Sequence, residues 1–369
     1  MKEIKMEAKG LFNVARKEFI DHLTSRRFIF ILALFLIISA YSMHQGMDYY
    51  NNRLEDYKEE ISQISQIKEE KGVEPEYMPK KPSILLIFQM MSYPMSMLGA
   101  ILAIAIGFDL ITREKESRSL KSLLSHPVYR DEIINGKALG GILALVFAVG
   151  IAFLILFAML LLFSIVPDHD EFWRIVLFGA VTVLCLLTYF SIALMASTVA
   201  KDSGRALIYA LLVFFAISFA MPVVGGLVTE SVIGEPPEPP AVPQYKYETP
   251  PPLSANENEQ VVPVKRGRVP EKNEEWQRYE EEREAYWEKR LAIRDAFETF
   301  SLYCNYDKVA ESITDPYLKA VHTNWYRPGE TSSIPESLER VWKNIFALII
   351  LPVVFFVIAY IKFMKMDIR

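Results

Sequence analysis

The feature that most constrains this chain is the sorting of its charges. Of its 369 residues, 51% are hydrophobic and 23% are charged. A soluble domain mixes the two at short range, whereas here they fall into blocks. A helix needs about 17–25 apolar residues to cross a bilayer. Six runs meet or approach that length: 28–46, 83–110, 138–166, 172–200, 206–227 and 341–361. The fold class they predict is an all-α polytopic membrane protein with six transmembrane helices. An N-terminal interfacial helix precedes them, and an external, mainly helical insert lies between spans five and six.

Orientation follows from basic residues in the short connections, which stay on the cytoplasmic side. Lys2, Lys5, Lys9, Arg16, Lys17, Arg26 and Arg27 precede the first span. The segment 111–137 is studded with Arg and Lys, 201–205 reads KDSGR, and Lys362, Lys365 and Arg369 close the chain. The loop 167–171 carries Asp168, Asp170 and Glu171 and no Lys or Arg. The expected protein is therefore multi-pass in the cell membrane with both termini cytoplasmic. Residues 1–27 place Leu11, Val14, Ala15, Glu18, Phe19 and Leu23 on a helical period, with the charges mostly elsewhere, which predicts an amphipathic helix in the cytoplasmic interface. A plain soluble helix is the alternative. The first apolar run is too long for a cleavable signal peptide and lacks a small-residue cleavage site.

Residues 47–82 are expected outside as a helix that continues out of the first span, with a stripe of Tyr50, Leu54, Tyr57, Ile61 and Ile64. The second span has an irregular, Met-rich outer half. Met90, Met91, Tyr93, Pro94 and Met95 are candidate pathway-lining residues, and plain packing is the competing reading because Met fills awkward gaps. No His or Cys accompanies these methionines, which disfavours a copper or haem site. Pro222, followed by Gly225 and Gly226, predicts a fifth span that bends or partly re-enters. The external region 229–340 starts with a stiff linker, 235–252, rich in proline. Its segment Glu271–Phe300 is charged and helical with an aromatic edge, expected to pack on Met47–Lys71. The final span is kinked at Pro352, and 362–369 forms a cytoplasmic tail.

The segment 111–137, ITREKESRSLKSLLSHPVYRDEIINGK, predicts a helical elbow at the cytoplasmic surface. Leu120, Leu123 and Leu124 fall at i, i+3 and i+4 and make one face apolar. Pro127 breaks the helix, and a second helix restarts near Tyr129. No G-x-x-x-x-G-K-[ST] occurs, so the chain carries no P-loop. G-x-S-x-G, H-E-x-x-H and C-x-x-C are absent too. The five histidines and two cysteines show no metal-ligand spacing and no disulfide framework.

The run GFDLITREKESRSLKSLLSHPVYRDEIINGKALGG resembles the corresponding region of permease subunits in the type-2 ABC transporter family. Its E-x-E turn is Glu114 and Glu116, its Leu-rich helix is Leu120–Leu124, its break is Pro127 and its G-K pair is Gly136-Lys137. ARKEFIDHLTSRRFIF is similar to the family's N-terminal elbow helix. Arg118 stands where the family often has glycine, and the external region is longer than the usual loop. The resemblance implies a chain without catalysis or cofactor of its own, with ATP held by a partner subunit. Members of this family are exporters, so the resemblance implies outward movement of substrate. Two permease subunits, as homo- or heterodimer, would form the pathway in the lipid bilayer, and nucleic acid is not an implied partner. An ABC ATP-binding subunit would dock on the elbow as a coupling helix, with Glu114, Glu116, Leu120, Lys121, Leu123, Leu124 and Pro127 as coupling residues. The alternative is a membrane-anchored scaffold or sensor whose external region binds a ligand or partner without transport.

The topology is directly testable. Cysteines introduced at Ser62 and Asn256 should react with a membrane-impermeant thiol reagent in intact cells, and one at Ser119 should react only after permeabilisation. Early labelling at Ser119 would invert the orientation.

Overall fold

The structure is a computed structural model that describes residues 2–71, 79, 81–118, 129–240, 274–316 and 332–366. It is helical throughout, with no strand among the described residues. The helices are α1 (Lys2–Thr24), α2 (Arg26–Lys71), α3 (Leu85–Gly107), α4 (Thr112–Glu116), α5 (Arg130–Leu162) and α6 (His169–Val199). They continue with α7 (Ser203–Phe215), a π-helical turn (Ala216–Ala220), α8 (Met221–Ile233), α9 (Glu274–Glu298), α10 (Leu302–Thr314), α11 (Ile334–Arg340) and α12 (Trp342–Met364). Six described helical stretches are long and apolar enough to span a membrane: Arg26–Glu69, Leu85–Glu116, Arg130–Leu162, His169–Val199, Ser203–Ile233 and Trp342–Met364. The protein is an all-α polytopic membrane protein.

The first span and the segment after it form one unbroken helix, α2, in which Met47 and Tyr50 are already buried in the core. The third span starts earlier than its apolar run. The Glu132 carboxylate accepts the Tyr129 backbone N–H at 3.0 Å, so α5 begins inside the elbow and carries residues 130–137 with it. The N-terminus of α6 is fixed by a reciprocal cap. Asp168 accepts the Glu171 N–H at 2.8 Å, and Glu171 accepts the Asp168 N–H at 3.1 Å.

Lipid is as apolar as Leu, so helices in a bilayer associate mainly through close packing, and small residues decide where they touch. The α3–α6 contact is built this way. A Cβ on Gly99 would lie 2.5 Å from a Leu186 methyl, and one on Gly107 would lie 2.7 Å from the Ala193 Cβ and 2.9 Å from the Phe190 carbonyl oxygen. Gly141 of α5 receives the Phe190 ring. Gly136 and Gly140 form a groove on α5 that takes the α1 backbone at Leu11 and Ala15. The small residues at 140 and 141 thus serve two different neighbours.

Proline shapes the fifth span. Pro222 cannot donate to the carbonyl four residues earlier, Ser218, and its ring crowds that turn. The helix responds with a π-turn over Ala216–Ala220, and the Ser218 carbonyl accepts the Ser301 hydroxyl at 3.5 Å. Ser301 also caps α10 by accepting the Cys304 N–H at 3.3 Å.

Two compact units make up the chain: Met1–Pro222 with Glu298–Arg369, and Val223–Phe297. The expected external region 229–340 is therefore divided between them. In the first unit, α10 packs on α3, α6 and α12. Arg174, fully buried on α6, holds its far end. The guanidinium bonds Asp170 at 2.6 Å, the Ile313 carbonyl at 3.1 Å, the Ser337 hydroxyl at 3.3 Å and the Ser332 carbonyl. In the second unit α9 uses its aromatic edge on α8. Phe297 lies over Gly225, and the Tyr286 hydroxyl donates to the Gly234 carbonyl at 3.2 Å. The expected partner segment, Met47–Lys71, belongs to the first unit.

Gly107→Ala should separate α3 from α6, because the added methyl meets backbone that cannot give way. Overpacking of this kind costs about 1–3 kcal/mol. A lower midpoint of thermal unfolding in detergent is expected, and an unchanged midpoint would count against the close α3–α6 contact.

Candidate functional site

The residues that follow α3 form a hub. After Gly107 the chain turns and makes the single short helix α4, and each polar side chain of 109–116 named below reaches a different element. Asp109 pairs with Arg27 of α2 at 3.3 Å. The Ile111 and Thr112 N–H groups donate to the Ser197 hydroxyl at 3.0 and 3.1 Å. The Lys115 ammonium donates to the carbonyls of Ser197, Thr198 and Ala200 at 3.2, 2.9 and 2.9 Å. The last carbonyls of a helix lack intrahelical partners and carry its negative pole, so a lysine there satisfies both needs. Glu116 does the converse at the start of α7. It accepts the Ser203 N–H at 2.6 Å and the Ser203 hydroxyl at 3.1 Å, placing a carboxylate on a helix N-terminus.

Glu114 reaches the most buried charge of the hub. Lys137 of α5 is 3% exposed and pairs with Glu114 at 2.8 Å and with Glu18 of α1. A buried ammonium is costly unless paired, and removing one partner of such a pair typically costs about 3–5 kcal/mol. The triad therefore fixes α1, α4 and α5 to one another at the place where the Gly136/Gly140 groove seats α1. His22, one turn beyond Glu18 on α1, is also enclosed, and burial holds its imidazole below the usual pKa. Its Nε2 and the Glu114 Oε2 are buried with no hydrogen-bond partner among the described residues.

The short helix stops abruptly at Glu116. Arg118 has φ 56°, a left-handed conformation that glycine adopts without strain and arginine does not. Backbone geometry thus accounts for the glycine that the resemblance leads one to expect there. It also interrupts the helix expected to run from 111 into the leucines.

Among the expected coupling residues, Glu114 and Glu116 both face into the hub. Leu120, Lys121, Leu123, Leu124 and Pro127 lie outside the described residues. Among the candidate pathway residues, Met90 and Tyr93 are exposed and Pro94 is half-buried. Met91 and Met95 are fully buried in the core, so in this subunit they pack rather than line a surface. Nothing in the local sequence singles out Lys115 or Ser197, whereas Glu18 stands out as an acid on the helical period of the apolar residues of α1. Lys115 reads locally as one more base in a basic loop, and its carbonyl partners lie more than eighty residues away. Only the Gly-Lys pair hints that Lys137 is special.

The family model of the ABC-2 family transporter protein matches residues 12–368. The chain belongs to the ABC-2 transporter family. It is the permease, the membrane subunit, of an ABC transporter. The family match takes in every helix from the body of α1 to the end of α12, so the hub lies well inside it. No curated protein matches the chain. Membership of the ABC-2 family implies work with an ATP-binding subunit.

Lys137→Ala leaves Glu18 and Glu114 facing each other across a vacated space. A loss of about 3–5 kcal/mol is expected, read as a lower midpoint of thermal unfolding. The triple change Glu18→Gln, Lys137→Met, Glu114→Gln should recover most of it. Wild-type stability in Lys137→Ala would show that the triad does not hold the three helices.

Proposed function

We propose that this permease is an exporter, works as a pair of membrane subunits, and takes its motion from a separate ATPase docked on the 111–137 elbow. The observation that carries the reading is the hub. One short segment, 109–116, is bonded to α2 through Asp109, α5 through Glu114, α6 through Lys115 and α7 through Glu116. It reaches α1 through the shared Lys137. A displacement of the residues that follow would be delivered at once to five helices, which is what a coupling element must do. The basic connections favour placing this end of the bundle in the cytoplasm, where ATP is. The absence of a P-loop from the sequence fits an ATPase on another chain. The export direction and the pairing of permeases rest on the resemblance to type-2 exporters.

In this reading the leucines offer an apolar anchor to the ATPase and the hub transmits the push. Leu120→Ser with Leu124→Ser alters no span, so insertion should survive. Loss of a central apolar anchor costs about 2 kcal/mol or more, roughly thirtyfold in affinity. Co-purification of the ATPase and its stimulation should fall together. Wild-type stoichiometry and full stimulation in the folded, inserted variant would sink the coupling role.

A further inference from the structure

We infer that Met90 and Tyr93 of α3, with Tyr303 and Asp307 of α10, form a binding strip for amphipathic organic cations, a site on the transport path that rests on the permease reading above. The helix α10 buries Leu302, Tyr306, Val309, Ala310 and Ile313. Its other face carries Tyr303, Cys304, Asp307, Lys308 and Glu311, none of them buried. Two contacts set its depth. The Tyr306 hydroxyl is 3.0 Å from that of Thr182, about 20 Å along α6 from His169 at 1.5 Å per residue. Ser301 meets Ser218, about 22 Å along the fifth span from Ser203 by the same rise. The polar face of α10 thus lies alongside the spans rather than beyond their ends. A carboxylate at that depth is costly against hydrocarbon and marks a water-filled path or a ligand.

Asp307 has the chemistry of a vacant counter-charge. It accepts one hydrogen bond, from the Ser92 hydroxyl at 3.4 Å, and no cation among the described residues pairs with it. The neighbouring Lys308 is engaged with Glu298 at 2.7 Å. Beside the carboxylate, the Tyr93 and Tyr303 rings meet edge to face with centroids 5.8 Å apart, and Tyr93 is 52% exposed. Met90, one turn before Tyr93, is 47% exposed. Ring faces attract cations, and a thioether moulds to irregular apolar groups. The strip combines a fixed negative charge, two aromatic faces and a pliable apolar surface. A positively charged ligand with apolar substituents uses all three. An anion is repelled by Asp307, and a small hydrated ion gains nothing from the rings.

The test is equilibrium binding of radiolabelled tetraphenylphosphonium to the full chain in lipid nanodiscs, with empty nanodiscs as background. Tetraphenylborate, of the same shape and opposite charge, is measured separately. Saturable phosphonium binding is expected, weakened at least tenfold by Asp307→Asn and by Tyr93→Leu and kept by Asp307→Glu, with no saturable borate binding. No saturable phosphonium binding, equal affinity in Asp307→Asn and Tyr93→Leu, or equally tight borate binding would overturn the inference. Tyr93→Leu changes an exposed side chain and keeps the test readable if Asp307→Asn fails to fold. The assay needs no ATPase. Failed binding here, with co-purification still lost in the Leu120→Ser, Leu124→Ser variant, sinks the cation site alone. Intact binding, with wild-type co-purification and stimulation in that variant, sinks the coupling reading alone.

Discussion

The buried ammonium of Lys137 is the constraint around which one end of this bundle is arranged. A charge in that position must be paired, and two carboxylates on separate helices pair it. Glu18 can reach it only because Gly136 and Gly140 let α1 lie against α5, backbone to backbone. Glu114 can reach it only because α3 ends at Gly107 and the chain turns into α4. Lys115 and Glu116, the next two residues, then complete the open ends of α6 and α7. One charge requirement therefore propagates into the positions of most of the helices that meet there.

Elsewhere the bundle relies on the local consequences of glycine and proline. Glycines on α3 and α5 set the close approaches that a bilayer rewards. Pro222 frees one carbonyl and produces the π-turn, and Ser301, capping the next packed helix, supplies a hydroxyl to that carbonyl. Arg174 then secures the other end of α10 by satisfying carbonyls that the chain leaves open there. A helix that is not itself a span is thereby locked among the spans with a polar face showing. The hub and the Arg174 cluster solve the same problem, unsatisfied helix termini, with side chains borrowed from distant sequence.

The six spans, the all-helical class and the family resemblance are legible in the amino-acid sequence, because each depends on local composition or on a short motif. Apolar length fixes a span whatever its neighbours are. Charge sorting fixes the blocks, and Pro222 announces a bend because its missing N–H acts within one turn. The E-x-E pair and the Gly-Lys pair contribute Glu114, Glu116 and Lys137 to the hub.

What those residues do is decided by the tertiary structure. Burial of a lysine, the carbonyls that receive Lys115 and the carboxylate that meets Lys137 are properties of contacts across tens to more than a hundred residues, and no local period encodes them. The methionines show the same limit. Met90, Met91 and Met95 look alike in sequence, yet the helix carries Met90 to the surface and the other two into the core. Arg118 marks the boundary between the two kinds of knowledge. The sequence alone shows an arginine where a glycine is usual, and only the backbone, turned to positive φ, gives the steric reason.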